Sequence, residues 1–152
     1  MNYRAEILDT KNPLFLKVQI EIDAPANKIF DFLIQPKNHR LMDGSGMLRG
    51  EFKGPEKLYL GAKFGMKMRY GIPYVITNQV VEFKENSAIA WRHLLHNVWR
   101  YELVSISDHK TLVIESWDGT TARSKWWVSD SDKWVPKAMA KTLVKLKEIV
   151  EK

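Results

Sequence analysis

Apolar and polar residues alternate strictly near the start of the chain. The alternation puts apolar side chains on one face of an extended segment and charged or polar side chains on the other, which predicts a half-buried strand. The apolar members are Leu16, Val18, Ile20 and Ile22. The next residues, Asp23-Ala24-Pro25-Ala26, predict a helix start with Asp23 as a candidate cap and Pro25 near the first turn.

One or two short helices are predicted to follow this strand. Ile29, Phe30 and Leu33 provide the apolar positions of the first helix, and Pro36 is predicted to end it. A second helical segment is predicted to run through Leu41, before a turn at residues 43–46.

From residue 47 to residue 117 the apolar period is two, and turn residues recur at short intervals, which predicts an antiparallel meander. The predicted strands include residues 63–70, 74–83, 89–93, 99–103 and 111–117. A polar loop that carries tryptophan follows the last of these strands.

The C-terminal segment changes to a period of three and four residues, which is typical of an amphipathic helix. Its apolar positions are Val135, Ala138, Met139, Leu143, Leu146, Ile149 and Val150. Because Pro136 is not tolerated inside a helix, regular helix is predicted to begin within a turn of it, with Ser131 or Asp132 near the cap.

This order of elements predicts an α+β fold in one domain over residues 1–152, since neither a repeat nor a linker-like shift in composition interrupts the chain. A curved antiparallel sheet of about seven strands is expected to wrap around the long C-terminal helix. The curved face is wider than one helix, so the arrangement leaves room for a ligand cavity.

The amino-acid composition excludes several types of chemical site. The chain has no Cys, which excludes disulfides, thiolate catalysis and iron–sulfur clusters. His93 and His96 lie three apart on a predicted strand and turn, a spacing that does not suit a metal site, so neither metal nor cofactor is expected. The N-terminus lacks an apolar signal core and no long apolar run occurs, so a cytoplasmic location is expected.

Several segments resemble the START-like (SRPBCC) superfamily. Residues 20–33, with the sequence Ile-Glu-Ile-Asp-Ala-Pro-Ala-Asn-Lys-Ile-Phe-Asp-Phe-Leu, resemble its opening strand and helix. Asp43-Gly44-Ser45-Gly46, Ala90-Trp91-Arg92-His93 and the segment 99–103 resemble an uncharacterised bacterial branch of its polyketide cyclase/dehydrase and lipid-transport group. The resemblance implies a helix-grip fold with a hydrophobic cavity, in a superfamily that includes both carriers and cyclases.

If the apolar parity of the strands marks the concave face, one set of residues lines the cavity. The set is Met66, Met68, Tyr70, Ile76, Asn78, Trp91, His93, Trp99, Tyr101, Leu103, Val113, Glu115, Trp117, Met139 and Leu143. A fully packed interior is the alternative, because Trp and Met also fill cores. Asn78, His93 and Glu115 favour the cavity, since each polar group in an apolar enclosure needs a partner or a ligand.

The leading interpretation is a carrier or sensor that binds a small hydrophobic or amphipathic ligand, such as a lipid, an isoprenoid or a polyketide-like compound. The alternative is a cyclase or dehydratase in which His93 and Glu115 act as an acid/base pair, with Tyr70 or Tyr101 as a further acid.

A third interpretation is a surface module that binds a membrane or the ribosome. The net charge is +6, and the excess lies in residues 36–70 and 123–152. Tryptophan beside Lys and Arg suits a lipid headgroup region. The candidate surface for an anionic membrane comprises Trp126, Trp127, Trp134, Lys137, Lys141 and Lys145. Nucleic acid is not expected as a partner, because the sequence contains no recognisable RNA-binding motif.

Overall fold

The computed structural model describes residues 4–46, 48–93 and 95–152, and all of their side chains except those of residues 49–52, 66, 68–70, 73 and 74. The strands are β1 (Glu6–Leu8), β2 (Phe15–Ile22), β3 (Leu48–Lys53), β4 (Lys63–Tyr70), β5 (Ile72–Lys84), β6 (Ala88–His93), β7 (Val98–Ser107) and β8 (Lys110–Asp118). The α-helices are α1 (Ala26–Leu33), α2 (His39–Met42), α3 (Lys125–Val128) and α4 (Val135–Val150). Single-turn 3-10 helices occupy Pro36–Asn38 and Ser131–Lys133.

The strands form one antiparallel sheet in the order β1-β2-β8-β7-β6-β5-β4-β3. The predicted α+β architecture is therefore confirmed, with a meander of β3 to β8 closed at one side by β2. The sheet has eight strands in the described residues, where about seven were expected. The additional edge strand, β1, is only three residues long and pairs with β2, which is too short for alternation to reveal.

Helix α4 packs on one face of the sheet, mainly across β2. We call this face the inner face. Met139, Leu143 and Leu146 are fully buried, as are Val18 and Ile22 on β2. The apolar stripe predicted for the C-terminal segment is thus the stripe that the sheet covers, and its burial is the main contact between helix and sheet.

A register shift between Val80 and Glu82 interrupts the pairing of β5 with β6. Such a shift marks a β-bulge, which increases the local twist and bends a strand. Since β5 is thirteen residues long, the bulge lets one continuous strand follow the curvature of the sheet.

Local predictions at the helix ends are corrected by the structure. Pro25 rather than Asp23 precedes α1, and no side chain caps that helix. Helix α4 begins at Val135, as the position of Pro136 indicates, but Trp134 occupies its cap, because the preceding residues Ser131–Lys133 form a 3-10 turn. Capping residues are interchangeable with turn residues in sequence, so the pattern alone does not separate the two roles.

Candidate functional site

The register of the sheet aligns three tryptophans on the inner face. Trp91 stands opposite Trp99, and Trp99 stands opposite Trp117, across β6, β7 and β8. Trp91 and Trp117 are buried. Because directly opposed residues of antiparallel strands share a face, this row is a continuous aromatic surface.

Polar side chains interrupt this apolar face. Asn78 is opposite His93 on the neighbouring strand, and the His93 ring meets the Trp99 ring edge to face at 6.1 Å. Both side-chain polar atoms of Asn78, Nδ1 of His93 and Nε1 of Trp99 are buried without a hydrogen-bond partner. A buried polar group without a partner costs about 1–3 kcal/mol. Such a cluster is therefore a candidate for contact with a molecule that the chain itself does not supply.

A second polar pair lies on the next row. Tyr101 stands opposite Glu115, and its hydroxyl donates a hydrogen bond of 2.9 Å to Oε1. Oε2 of Glu115 is buried and has no partner. Burial raises the pKa of Glu115 to about 8; the bond from Tyr101 lowers it and the charge of Asp43 raises it. The carboxyl group is thus protonated and neutral near pH 7.

The predicted His93–Glu115 acid/base pair does not form. Tyr101 is the residue bonded to Glu115, and His93 Nδ1 has no partner. Ile89 lies opposite Tyr101 on β6, so His93 is displaced along that strand from the row of Glu115 by four residues, or roughly 13 Å. Burial also lowers the pKa of His93 to about 4, which makes it a weak base. Strand parity puts both residues on the inner face correctly, but it does not report their offset along the strands.

The loop between α2 and β3 packs against α4. The backbone N–H of Gly44 donates to Oγ1 of Thr142 at 2.8 Å, and Lys145 Nζ donates to the carbonyl oxygen of Asp43 at 2.9 Å. A Cβ on Gly44 would lie 2.5 Å from the backbone of Ala138, so only glycine allows this approach. The Asp-Gly-Ser-Gly segment is therefore a turn that docks on the helix.

His39 is a buried residue of the site region that the sequence pattern does not reveal. Its Nε2–H donates to the carbonyl oxygen of Leu33 at 2.7 Å, and its ring stacks on Trp91 with centroids 4.9 Å apart. Burial lowers the pKa of His39 to about 4. The four-residue helix that carries it is too short to show a period, so the only sequence signal was its position just after Pro36.

The remaining predicted cavity residues fall into three groups. Leu103, Val113, Met139 and Leu143 are buried in the hydrophobic core. Ile76 is half-buried on β5. The side chains of Met66, Met68 and Tyr70 lie outside the described residues. Contact of these residues with a ligand stays a prediction.

The tryptophans between β8 and α4 do not close the core. The exposed fractions are 82% for Trp126, 55% for Trp127 and 41% for Trp134. Val128 and Val135 fill the adjoining core positions instead, at 1% and 0% exposure. Three aromatic rings are thus left on the surface of one short segment.

The described residues show neither a metal site nor a membrane-spanning helix. Within residues 4–46, 48–93 and 95–152, His, Asp and Glu side chains do not gather in a group of three that could hold a metal ion. Over the same part of the chain, no helix combines the length and apolarity needed to span a bilayer.

Comparison with known proteins finds curated relatives by sequence and solved structures by fold. The chain is 43% identical over 100 residues to the uncharacterized protein Rv0088 of Mycobacterium tuberculosis, and the match covers 65% of this chain and 45% of the relative. The chain spans about half the length of the curated relatives it matches. No family model matches the chain.

Solved structures define the fold. Protein Ms6760 from Mycobacterium smegmatis has a TM-score of 0.72 at 12% identity, over 97% of this chain and 98% of that chain. A Polyketide_cyc-like protein from Corynebacterium glutamicum has a TM-score of 0.65 at 17% identity, over 91% of each chain. The chain has an α+β helix-grip fold. The fold expected from the opening motif is confirmed, and in a helix-grip fold the inner face described above lies between the sheet and the long helix.

Proposed function

We propose that this helix-grip protein binds a small, mostly apolar molecule with uncharged polar groups, on the inner face between the sheet and α4. The observation that carries the proposal is the cluster of unpartnered buried atoms on Asn78, His93 and Trp99. A bound hydroxyl or carbonyl group would complete these hydrogen bonds and offset the cost of their burial. The row of Trp91, Trp99 and Trp117 provides the apolar contact.

The charges around the inner face favour a neutral ligand. Glu115 is uncharged near pH 7, and the negative charge of Asp43 is close enough to raise its pKa. Lys147, the buried lysine of the described residues, is held by the carbonyl oxygen of Glu21 and by Glu151, at 2.9 and 2.8 Å. Arg100 lies on the opposite face of β7 and is paired with Glu82 and Glu102. Among the described side chains, neither of these cations is left to pair with a ligand carboxylate, so free fatty acids are excluded from the proposed class.

Binding is proposed in preference to catalysis because the acid/base pair required for a cyclase or dehydratase is not assembled. His93 and Glu115 belong to different rows of the sheet. Each is neutral near pH 7, since burial lowers the pKa of His93 and raises that of Glu115. The two groups do not touch and burial makes His93 a weak base, so they are better suited to orienting polar groups of a ligand than to moving a proton together.

The test compares masses of the natively purified protein under native and denaturing conditions, followed by extraction and identification of whatever dissociates. An uncharged apolar compound at about one per chain is expected. The Asn78→Leu/Trp99→Phe double variant is expected to lose it. Two results would contradict the proposal. In the first, the wild-type protein carries no compound and does not bind naphthol in a calorimetric titration. In the second, the double variant retains the compound as well as wild type does.

A further inference from the structure

Three exposed tryptophans in the segment between β8 and α4 form a surface that the ligand site does not use. Trp126 is 82% exposed and Trp127 is 55% exposed, on the short helix α3, while Trp134 caps α4. A tryptophan exposed to this extent leaves a large apolar area in water. We call Trp126, Trp127 and Trp134 the tryptophan surface.

The tryptophan surface lies at the end of the sheet where the polar cluster of the inner face is found. The backbone N–H of Arg123 donates to the carbonyl oxygen of Leu95 at 2.9 Å, and Oγ1 of Thr121 donates to that of His96 at 2.9 Å. These bonds attach the segment before α3 to the turn between β6 and β7. The same turn joins the strands that carry His93 and Trp99.

Exposed lysines continue from the tryptophan surface along α4. Lys137 and Lys141 follow Trp134 at positions three and seven residues later and are exposed, so all three lie on one side of the helix. Lys137 is in the first turn of α4, where the helix dipole disfavours a cation, and that turn contains no acidic residue. Lysines four apart also repel each other. Helix stability therefore does not explain these two residues.

Three neighbouring lysines already have partners. Lys145 donates to the carbonyl oxygen of Asp43 at 2.9 Å, Lys125 donates to that of Thr120 at 2.9 Å, and Lys133 pairs with Asp130 at 2.9 Å. Lys145, expected as part of a membrane surface, instead holds the loop between α2 and β3. The surface that remains is Trp126, Trp127 and Trp134 with Lys137 and Lys141.

We propose that this surface docks on a bilayer that contains anionic phospholipid. Indole rings concentrate in the headgroup region of membranes, because they are apolar in body and polar at the N–H. Lysines beside them add attraction to anionic headgroups. Trp126 and Trp127 project from a single helical turn, a shape suited to shallow insertion among headgroups. Docking at this end brings the polar cluster of the inner face toward the lipid.

The experiment is flotation of the full chain with vesicles of phosphatidylcholine, with and without phosphatidylglycerol, at low and high salt. Wild type is expected to float with the anionic vesicles and to be released by salt. Trp126→Ser/Trp127→Ser is expected to weaken partitioning at least about tenfold, through lost apolar contact. Lys137→Gln/Lys141→Gln is expected to weaken it about 30-fold, since each lysine near an anionic surface contributes about fivefold.

Two control variants keep the test specific. Ile106→Ser removes an apolar side chain that is 51% exposed near the opposite end of the sheet. Lys63→Gln/Lys84→Gln removes two exposed charges on β4 and β5, outside the tryptophan surface and α4. Both controls are expected to float like wild type.

Three results would overturn the proposal. The first is wild type that floats with neither vesicle. The second is a tryptophan variant that floats as well as wild type. The third is self-association in light scattering that Trp126→Ser abolishes while vesicles are ignored, which would assign the surface to a second copy of the chain. None of these results bears on the proposed ligand site, which is tested without lipid vesicles.

Discussion

Tyr101 and Glu115 face each other across β7 and β8, and the Tyr101 hydroxyl donates to Oε1 of Glu115 at 2.9 Å. The other carboxyl oxygen is buried without a partner. Burial raises the pKa of Glu115 to about 8 and, together with Glu115, raises the pKa of Tyr101 well above its usual value. One buried acidic group is therefore neutral at the pH of most cells, which links the stability of the fold to pH.

The free energy of unfolding is expected to have a maximum near pH 6.5. The pKa of Glu115 is raised from 4.5 to about 8, so its contribution is complete below pH 4.5 and is lost as pH rises to about 8. The pKa values of His39 and His93 are lowered from 6.5 to about 4, so their contributions are complete above pH 6.5 and are lost as pH falls. Below pH 6.5 the stability lost through the two histidines is larger than the stability gained through Glu115. Of these three groups, Glu115 determines the decline above pH 6.5.

Urea unfolding at a series of pH values measures this profile. Between pH 6.5 and about 8, we expect wild type to lose roughly 1 kcal/mol in all, because the unfolded-state histidines still titrate near pH 6.5 and Glu115 begins to ionise in the native state near pH 8. Glu115→Gln is isosteric and does not titrate, so the decline is expected to be absent from this variant. An equal decline in Glu115→Gln would show that another group is responsible.

Tyr101→Phe is expected to destabilise the protein by about 1–3 kcal/mol, because it leaves both oxygens of a buried carboxyl group without a partner. The pKa of Glu115 is expected to rise further, since the bond from Tyr101 lowers it. Urea unfolding and an NMR titration of the carboxyl carbon measure the two effects. Tyr59→Phe is the matched control, because Tyr59 is 58% exposed. An equal loss of stability in the control would show that the effect does not come from the bond between Tyr101 and Glu115.

Asn78→Leu is expected to stabilise the empty protein while it abolishes ligand binding. The amide is 1% exposed and neither of its polar atoms has a partner, so an apolar side chain of similar size removes a cost of about 1–2 kcal/mol. Thermal unfolding and naphthol titration measure the two quantities. Gln79→Leu, on the opposite face of the same strand, is expected to change neither. Asn78→Leu that is less stable than wild type would mean that the amide has a partner in the native protein.

Gly44→Ala is expected to cost about 1–3 kcal/mol, because the new methyl group would meet backbone atoms and push the loop away from α4. Its Cβ would lie 2.5 Å from both the Ala138 oxygen and the Thr142 nitrogen. Gly65→Ala is the control, since its nearest neighbour would be 3.9 Å away. The urea midpoints of the two variants measure this difference in stability. Equal midpoints would contradict the docking of this loop on α4.

Naphthol is expected to bind at least about tenfold more tightly than naphthoate near pH 7, because the carboxylate meets Asp43 without a counter-charge. Calorimetric titration of both compounds measures the ratio. If naphthoate binds as tightly as naphthol, the proposal of an uncharged ligand is contradicted, and acidic ligands fit the site equally well.

Strand parity and helix period were sufficient to predict the α+β architecture, and the resemblance of residues 20–33 to a known superfamily implied the helix-grip fold. Alternation identified β2 and the meander, since one face of each strand is buried. The three- and four-residue period predicted α4 with Leu143 and Leu146 on its buried stripe. The limit was length: β1 and α2 have three and four residues, which is too few for a pattern to repeat.

Pairing of particular side chains was harder to predict. Parity placed Asn78, Tyr101 and Glu115 on the inner face, where all three are buried. Which residue contacts which depends on strand register, and a register is set by bulges and turns that alternation does not encode. Glu115 therefore bonds to Tyr101 and not to His93. His39 came to the site through tertiary packing on Trp91, for which a single sequence carries no periodic signal.

A crystal structure of the protein purified under native conditions tests the central claim most directly. We expect a non-protein molecule on the inner face, with an uncharged oxygen within hydrogen-bond distance of Asn78 Nδ2 or Trp99 Nε1. The contrary result is an inner face filled by the protein's own side chains, or one in which those nitrogen atoms are bonded only to protein groups or water. That result would make the polar cluster part of an ordinary core.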